Sequence, residues 1–295
     1  MTPSEFDFLK NFLKTRSGLV LSNDKQYLVE SRLLPIARNS KLETLSNLIQ
    51  ALQKGGNRTL ETDVVEAMTT NESFFFRDKT PFEHFKETML PAMLQNRAAR
   101  KQIKIWCAAA STGQEPYSLA ICLKEAAAKV GGWRVRILGT DLSQEVLEKA
   151  KTGLYSQFEV QRGLPIQLLL KYFDQKGDMW QINAGMRAMI EWKKLNLLEQ
   201  FSHIGEFDIV FCRNVLIYFD QETKTEILNR IAKSLPDDGF LVLGAAETVV
   251  GLTDAFKPVA GKRGLFQKKQ AAQTGTRPAL ATGTSRLAAG GTTFR

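Results

Sequence analysis

The sequence predicts an α/β fold: a mostly parallel sheet with helices on both faces, preceded by a small all-α domain. Three observations carry this expectation. From about Lys101, short continuous apolar runs alternate with amphipathic stretches of helical period, the pattern of a parallel sheet covered on both sides. Residues 3 to about 68 show helical periodicity and nothing strand-like. The 295 residues, 43% hydrophobic and 24% charged, are enough for one large domain or two modest ones and have the composition of a soluble globular protein.

In chain order, "SEFDFLKNFL" places Phe6, Leu9 and Leu13 at helical spacing behind Ser4, a candidate cap. "NDKQYLVESRLLPIARNSK" continues with Tyr27, Leu28 and Leu34 and a kink or break at Pro35. "ETLSNLIQALQKGG" ends in a glycine stop, and "TLETDVVEAMTT" supplies one more helix. Strands are expected at "QIKIWCAA", "RVRILGTD", "MIEWKKLNL", "FDIVFCRN", "FLVLGAAE" and "GLFQKK", with helices at "EPYSLAICLKEAAAK", "SQEVLEKAK" and "QETKTEILNRIAKSL". Gly153 to Met189 is too long for a simple connection; β-like runs around Asn183 to Gly185 suggest a small strand-rich insertion. The expected organisation is a helical domain over 1–70, a linker with a connecting helix over 71–100, and the α/β domain over 101–269. The insertion occupies about 154–190, and the Ala/Thr/Gly-rich stretch 270–295 is expected to be disordered.

Composition narrows the function classes. No apolar run approaches the ~20 residues of a membrane span, and "MTPSEFDFLK" lacks a signal-peptide core, so no membrane insertion and a cytoplasmic location are expected. Cys107, Cys122 and Cys212 lie far apart in apolar segments without a CxxC pair, which reads as buried thiols and no metal site. The net charge is +9, yet eight of the 40 basic residues and none of the 31 acidic ones lie beyond Asp254. The body up to Asp254 is near neutral, which argues against a nucleic-acid groove built into the fold.

In a doubly wound sheet the ligand lies over the carboxyl ends of the strands, and four features meet there. The small-residue turn "AAASTGQE" reads either as a ligand cradle or as a plain strand-to-helix turn. Asp141 ends its strand 28 residues after Gly113, where it can accept both ribose hydroxyls of a nucleoside; the alternative is a helix cap, although Ser143 is better placed for that. Glu115 would repel a pyrophosphate, and the G-x-G-x-x-G fingerprint is missing. A positively charged, phosphate-free nucleoside such as S-adenosylmethionine fits better, the alternative being a first-turn acid on the helix dipole. "FDIVFCRNVLIYF" puts Arg213 and Asn214 at a strand end, with Tyr218 one helical turn later; Cys212 reads as packing rather than as a nucleophile. "MTTNESFFFRD" interleaves Asn71, Ser73 and Arg77 with phenylalanines that are first of all core, the polar groups being able to close over a ligand's charged end.

The set "TTNESFFFRD", "AAASTGQEPYSLA", "GTDLS", "LNLL" and "FCRNVLIYF", in this order and spacing, resembles the chemotaxis receptor methyltransferases of the CheR type. The likeness runs from about residue 3 to 268. It implies a class I, Rossmann-like S-adenosylmethionine-dependent methyltransferase domain with a small inserted β-subdomain behind an all-α domain. It also implies the cofactor contacts Asn71, Ser73, Arg77, Glu115, Asp141, Asn196, Leu197, Arg213 and Asn214. Gln114 stands where the family often has glutamate ("GEEPYS"), with Glu115 retained.

The implied reaction is methylation of glutamate carboxylates on a chemoreceptor's cytoplasmic helices, with S-adenosylhomocysteine as product and no metal. A glutamate of reference pKa about 4.3 needs no base at neutral pH, and neither His84 nor His203 lies in a motif. Tyr218 is the candidate for orienting the carboxylate. An acidic helical substrate calls for a basic docking face, and Arg32, Arg38 and Lys41, with Lys25 nearby, lie on or beside the second helix; a merely solvated helix face is the alternative. In some family members the β-subdomain grips a pentapeptide at the receptor's C-terminus by adding a strand to its edge. The matching region "KYFDQKGDMWQINAGMRAM" is shorter and has no Gly-X-Gly, so independence from a pentapeptide is expected, as is a monomer. The competing readings are a nucleic-acid methyltransferase using the basic tail as an arm, and a non-catalytic S-adenosylmethionine-binding module.

Overall fold

The computed structural model describes residues 1–269; the stretch from Gln270, expected to be disordered, lies outside them. The chain opens with four helices, α1 (Pro3–Ser17), α2 (Gln26–Asn39), α3 (Leu45–Lys54) and α4 (Arg58–Met68). The start of α1 is set by Thr2 rather than by Ser4: the Thr2 hydroxyl accepts from Glu5 N and the Glu5 carboxylate accepts from Thr2 N, with Pro3 already in the first turn. Thr44 and Asn57 cap α3 and α4 through their side chains. Pro35 neither breaks nor ends α2, which runs four residues past it. Phe6, Leu9, Leu13, Val29, Leu33, Leu48 and Val64 close a core of their own, against which Leu142 of the following domain also packs.

Two short helices, α5 (Thr80–His84) and α6 (Leu90–Asn96), flank a π turn (Phe85–Met89). Far from being a loose connection, this segment buries Phe82, Phe85, Met89 and Met93 against the sheet. The sheet begins with β1 (Gln102–Ala108), α7 (Gln114–Glu125), α8 (Ala127–Val130), β2 (Arg134–Asp141) and α9 (Gln144–Thr152). Ser143 caps α9, as its spacing implied.

The inserted subdomain comes next: β3 (Leu154–Ser156), α10 (Gln157–Gln161), α11 (Ile166–Tyr172), β4 (Phe173–Lys176), β5 (Met179–Ile182) and α12 (Ala184–Arg187). Its strands form an antiparallel sheet of order β3-β5-β4. The β-like reading of Asn183 to Gly185 is corrected here: β5 ends at Ile182, and Asn183 is the N-cap residue of α12. The main sheet resumes with β6 (Ile190–Lys194), β7 (Ile209–Cys212), α13 (Gln221–Lys233), β8 (Phe240–Leu243), β9 (Phe256–Pro258) and β10 (Leu265–Lys268).

The seven strands lie in the order β6-β2-β1-β7-β8-β10-β9, the first five parallel and β10 antiparallel to both of its neighbours. Every residue of β7 and β8 is buried, as helices on both faces require. Strand order reverses beside β1, so the loops after β1 and β7 part there and leave a crevice at their carboxyl ends.

Candidate functional site

All nine expected cofactor residues and Tyr218 line one pocket at that crevice. It holds about 1000 Å³ of empty space, part of it open to solvent, which is ample for a nucleoside with an amino-acid tail. Its walls come from both domains: Ser17 at the end of α1 and Leu19 after it, the strap Thr69–Ser73 after α4, and the ends of β1, β2, β6 and β7.

The β1–α7 turn is forced by the packing around it. Gly113 has φ 97°, and a Cβ there would lie 2.9 Å from the Ala150 Cβ and 3.0 Å from the Trp192 ring, so glycine alone fits. Gln114, the departure from the family pattern, is buried, and its Oε1 accepts from Thr112 Oγ1. Of nine non-glycine residues with positive φ among the described residues, Ala109, Ser111 and Asn214 line the pocket. Such backbone persists only where neighbours hold it, and each of these turns has an identifiable holder.

Asp141 is the first. Its Oδ2 accepts from Ser111 N at 2.8 Å and its Oδ1 from Ser143 N at 3.0 Å. Burial pushes its carboxyl above the usual carboxylate range, and these amide bonds pull the other way. A carboxylate has about four acceptor sites; two are committed to the loops, which leaves acceptor capacity for a ligand's hydroxyls.

Glu115 differs from its sequence-level reading. Its carboxylate has a partner within the fold: Oε2 accepts from Arg213 Nη1 at 2.7 Å. Its carboxyl too is pushed up by burial, with Arg213 offsetting part of the effect. Glu115 therefore enters the pocket wall as half of an ion pair. Arg213 also sends Nη2 to the Arg77 carbonyl at 2.9 Å and to Asp78 Oδ2 at 2.7 Å, clasping the linker onto the sheet. Its Nε is buried without an acceptor.

Asn214, at φ 56°, is held by Glu247, whose carboxylate accepts from Asn214 N, Val215 N, Ile217 N and Gly244 N. Asn196 sends Nδ2 to the Arg16 carbonyl at 2.8 Å while its Oδ1 accepts from Leu198 N, and Leu197 is buried beside it. Ser111 Oγ donates to the Asn71 carbonyl, and Arg77 Nη1 to the Glu72 carbonyl. Tyr218 is half-buried in the wall, its carbonyl accepting from Val20 N. Cys212 is fully buried, and burial pushes its thiol well up, so it offers no thiolate. His84 is buried away from the pocket, which His203 does not line either.

Of the residues expected to dock a substrate, Arg38 and Lys41 are exposed, whereas Arg32 is half-buried and its guanidinium is engaged by the end of α4. None of the three lines the pocket. Asp78, Ser111, Glu247 and Glu66 were not singled out by sequence reasoning. Glu247 had a usable signal, since it closes "FLVLGAAE" at the same sheet edge as Asp141.

Comparison with known proteins is consistent with this geometry. Residues 4–69 match the model for the CheR methyltransferase all-alpha domain, and residues 71–265 the CheR methyltransferase SAM binding domain. The chain is 41% identical over 265 residues to chemotaxis protein methyltransferase 1 of Vibrio cholerae, covering 89% of this chain and 95% of that one. It is 40% identical over 274 residues to chemotaxis protein methyltransferase 1 of Pseudomonas aeruginosa, covering 90% and 97%. To the chemotaxis protein methyltransferase of Salmonella typhimurium it is 33% identical over 261 residues, covering 87% and 88%. Among the described residues no helix is long and apolar enough to cross a membrane. With an all-α domain, a class I sheet of this strand order and a pocket that suits S-adenosylmethionine, the chain belongs to the CheR methyltransferase family and is an S-adenosylmethionine-dependent methyltransferase.

Proposed function

We propose that this protein methylates glutamate side chains on the cytoplasmic helices of a chemoreceptor, forming glutamyl methyl esters. The observation that carries this reading is the likeness to chemotaxis protein methyltransferases over about nine-tenths of the chain. The chemistry of the pocket agrees. Asp141 already accepts from backbone amides and Glu115 is paired with Arg213, so neither stands unpartnered as a general base. A carboxylate substrate, ionised at neutral pH, needs none.

When bound, S-adenosylmethionine supplies a methyl group on an already positive sulfur. Asp141, the strap Asn71–Ser73 and the loops held by Arg213 and Glu247 bind and orient it. Leu19, Leu142, Leu197 and Phe219 in the walls exclude water, and Tyr218 orients the incoming carboxylate. Positioning of this kind is worth up to roughly 7–11 kcal/mol.

Arg38 and Lys41, exposed at the end of α2 and just beyond it, offer a positive approach to an acidic helix. The protein acts as a monomer in the cytoplasm and does not need a receptor pentapeptide, a reading supported by the short β4–β5 hairpin with its two-residue turn at Gly177 and Asp178. The deciding assay incubates the protein and radiolabelled S-adenosylmethionine with a receptor cytoplasmic fragment or with RNA. Base-labile counts on the fragment are expected; base-stable counts, or counts on RNA alone, would overturn the assignment. Saturable binding of an isolated receptor pentapeptide at micromolar concentration would overturn the last clause.

A further inference from the structure

Arg32 lies on α2, but its guanidinium works at the end of another helix. Nη1 donates to the carbonyls of Met68 and Thr69, both at 2.9 Å, and Nη2 to Thr70 Oγ1 at 3.4 Å. Met68 is the last residue of α4 and Thr69 its C-cap. Terminal helix carbonyls lack intrahelical donors and carry the negative end of the helix dipole, so a cation there is held by charge as well as by hydrogen bonds.

Immediately beyond Met68 the chain becomes pocket wall. Thr69, Thr70 and Asn71 all line the pocket, as do Glu72 and Ser73. The strap is tied at both ends. Downstream, Ser111 Oγ donates to the Asn71 carbonyl at 2.8 Å; within it, Asn71 Nδ2 donates to Thr69 Oγ1 at 2.9 Å. Upstream, Arg32 makes all three side-chain bonds from α2. Arg38, six residues further along α2, is exposed.

We propose that Arg32 is a positioning residue for the cofactor: it fixes the Thr69–Asn71 strap against the pocket, so the helix offered to the receptor also sets cofactor affinity. The first half of this proposal does not depend on what the methyl acceptor is. The second half rests on α2 being the receptor-docking helix.

Calorimetric titration of S-adenosylhomocysteine into the full-length protein tests it without a receptor. Arg32→Ala is expected to weaken binding about tenfold, the loss of a multidentate charge-assisted contact. Arg32→Lys, which keeps the charge but loses the planar fork, is expected to fall between Arg32→Ala and wild type. Arg38→Ala is expected to bind as wild type while methylating a receptor fragment more slowly. A thermal melt on each variant separates helix capping from positioning, because capping alone lowers Tm without moving Kd. Should Arg32→Ala fail to fold, Arg32→Lys and Arg32→Gln decide. Wild-type affinity in the folded Arg32 variants would overturn the proposal and leave Arg32 as a capping or docking residue.

Discussion

The helical domain and the β-subdomain are attached to the same sheet by opposite means. In the subdomain, Tyr155, Val160, Leu169, Phe173, Ile182 and Met186 belong to one continuous apolar cluster with Ile105, Tyr117 and Ile137 of the sheet domain. Phe75 seals that joint, meeting Tyr155 and Phe173 edge-on with ring centroids 5.0 and 5.5 Å away. The approach is close: at Gly163 a Cβ would fall 2.0 Å from the Phe75 carbonyl oxygen. The helical domain instead closes its own core, with Leu142 as an apolar contact from the sheet domain, and otherwise meets the sheet along a largely polar seam. Glu66 accepts from Ser143 Oγ, Gln144 N and Lys194 Nζ; Lys14 pairs with Asp220; Asn196 reaches the Arg16 carbonyl. A shared apolar core makes two units fold as one. A polar seam leaves a separable unit whose closure responds to salt and pH.

The largest effect belongs to the apolar joint. Phe75→Ala should cost roughly 3–5 kcal/mol and lower sheet and subdomain together in one urea transition. Two resolved transitions would show that the subdomain is independent after all. At the seam, Glu66→Gln removes an ion pair and the negative charge at the start of α9, about 1 kcal/mol. It should increase proteolytic cutting near residues 69–73 without changing the sheet's unfolding midpoint.

The two kinds of acid also titrate in opposite directions. Glu66 is desolvated, yet Lys194 and the amides of α9 outweigh this and hold its carboxyl below the usual range. Its contribution is present above about pH 4.3 and is lost as pH falls through the folded-state pKa. Burial raises Asp141 and Glu115, so their contribution is full below about pH 4 and is lost as pH rises through their folded-state values. In the cofactor-free protein, Glu66→Gln should therefore flatten the acid limb of a stability–pH curve, and Asp141→Asn the limb above pH 4. Asp141→Asn should also lose affinity for S-adenosylhomocysteine in calorimetry. The smallest effect is at Lys14: Lys14→Ala, at an exposed surface pair, should leave the unfolding midpoint within experimental scatter in moderate salt.

Much of this was legible in the sequence because it is local. Apolar runs marked β1, β2, β6, β7, β8 and β10, and the motifs at their ends gathered in one pocket. The features that escaped depend on distant partners. The three-residue β9 is too short to show a period, and Asn183 looked strand-like until the fold made it a helix start. Arg32 looked like a surface cation because its acceptors lie 36 and 37 residues away. The ion pair of Glu115 escaped because Arg213 is 98 residues off. Asp78 and Glu66 carry no local signal at all, since hydrogen bonds from remote amides and guanidinium groups leave no periodic trace.

Glu247 bears on anyone who would transplant this site. One carboxylate, 33 positions beyond Asn214, gathers four amides from two loops. The segment Arg213–Tyr218 is therefore not a portable module. Moved alone onto another sheet, it would lose the anchor that keeps Asn214 in its left-handed conformation and would relax to an ordinary loop. Any transplant must carry β7 through Glu247, including all of α13 and β8, and must also supply partners for Arg213 in place of Glu115 and Asp78.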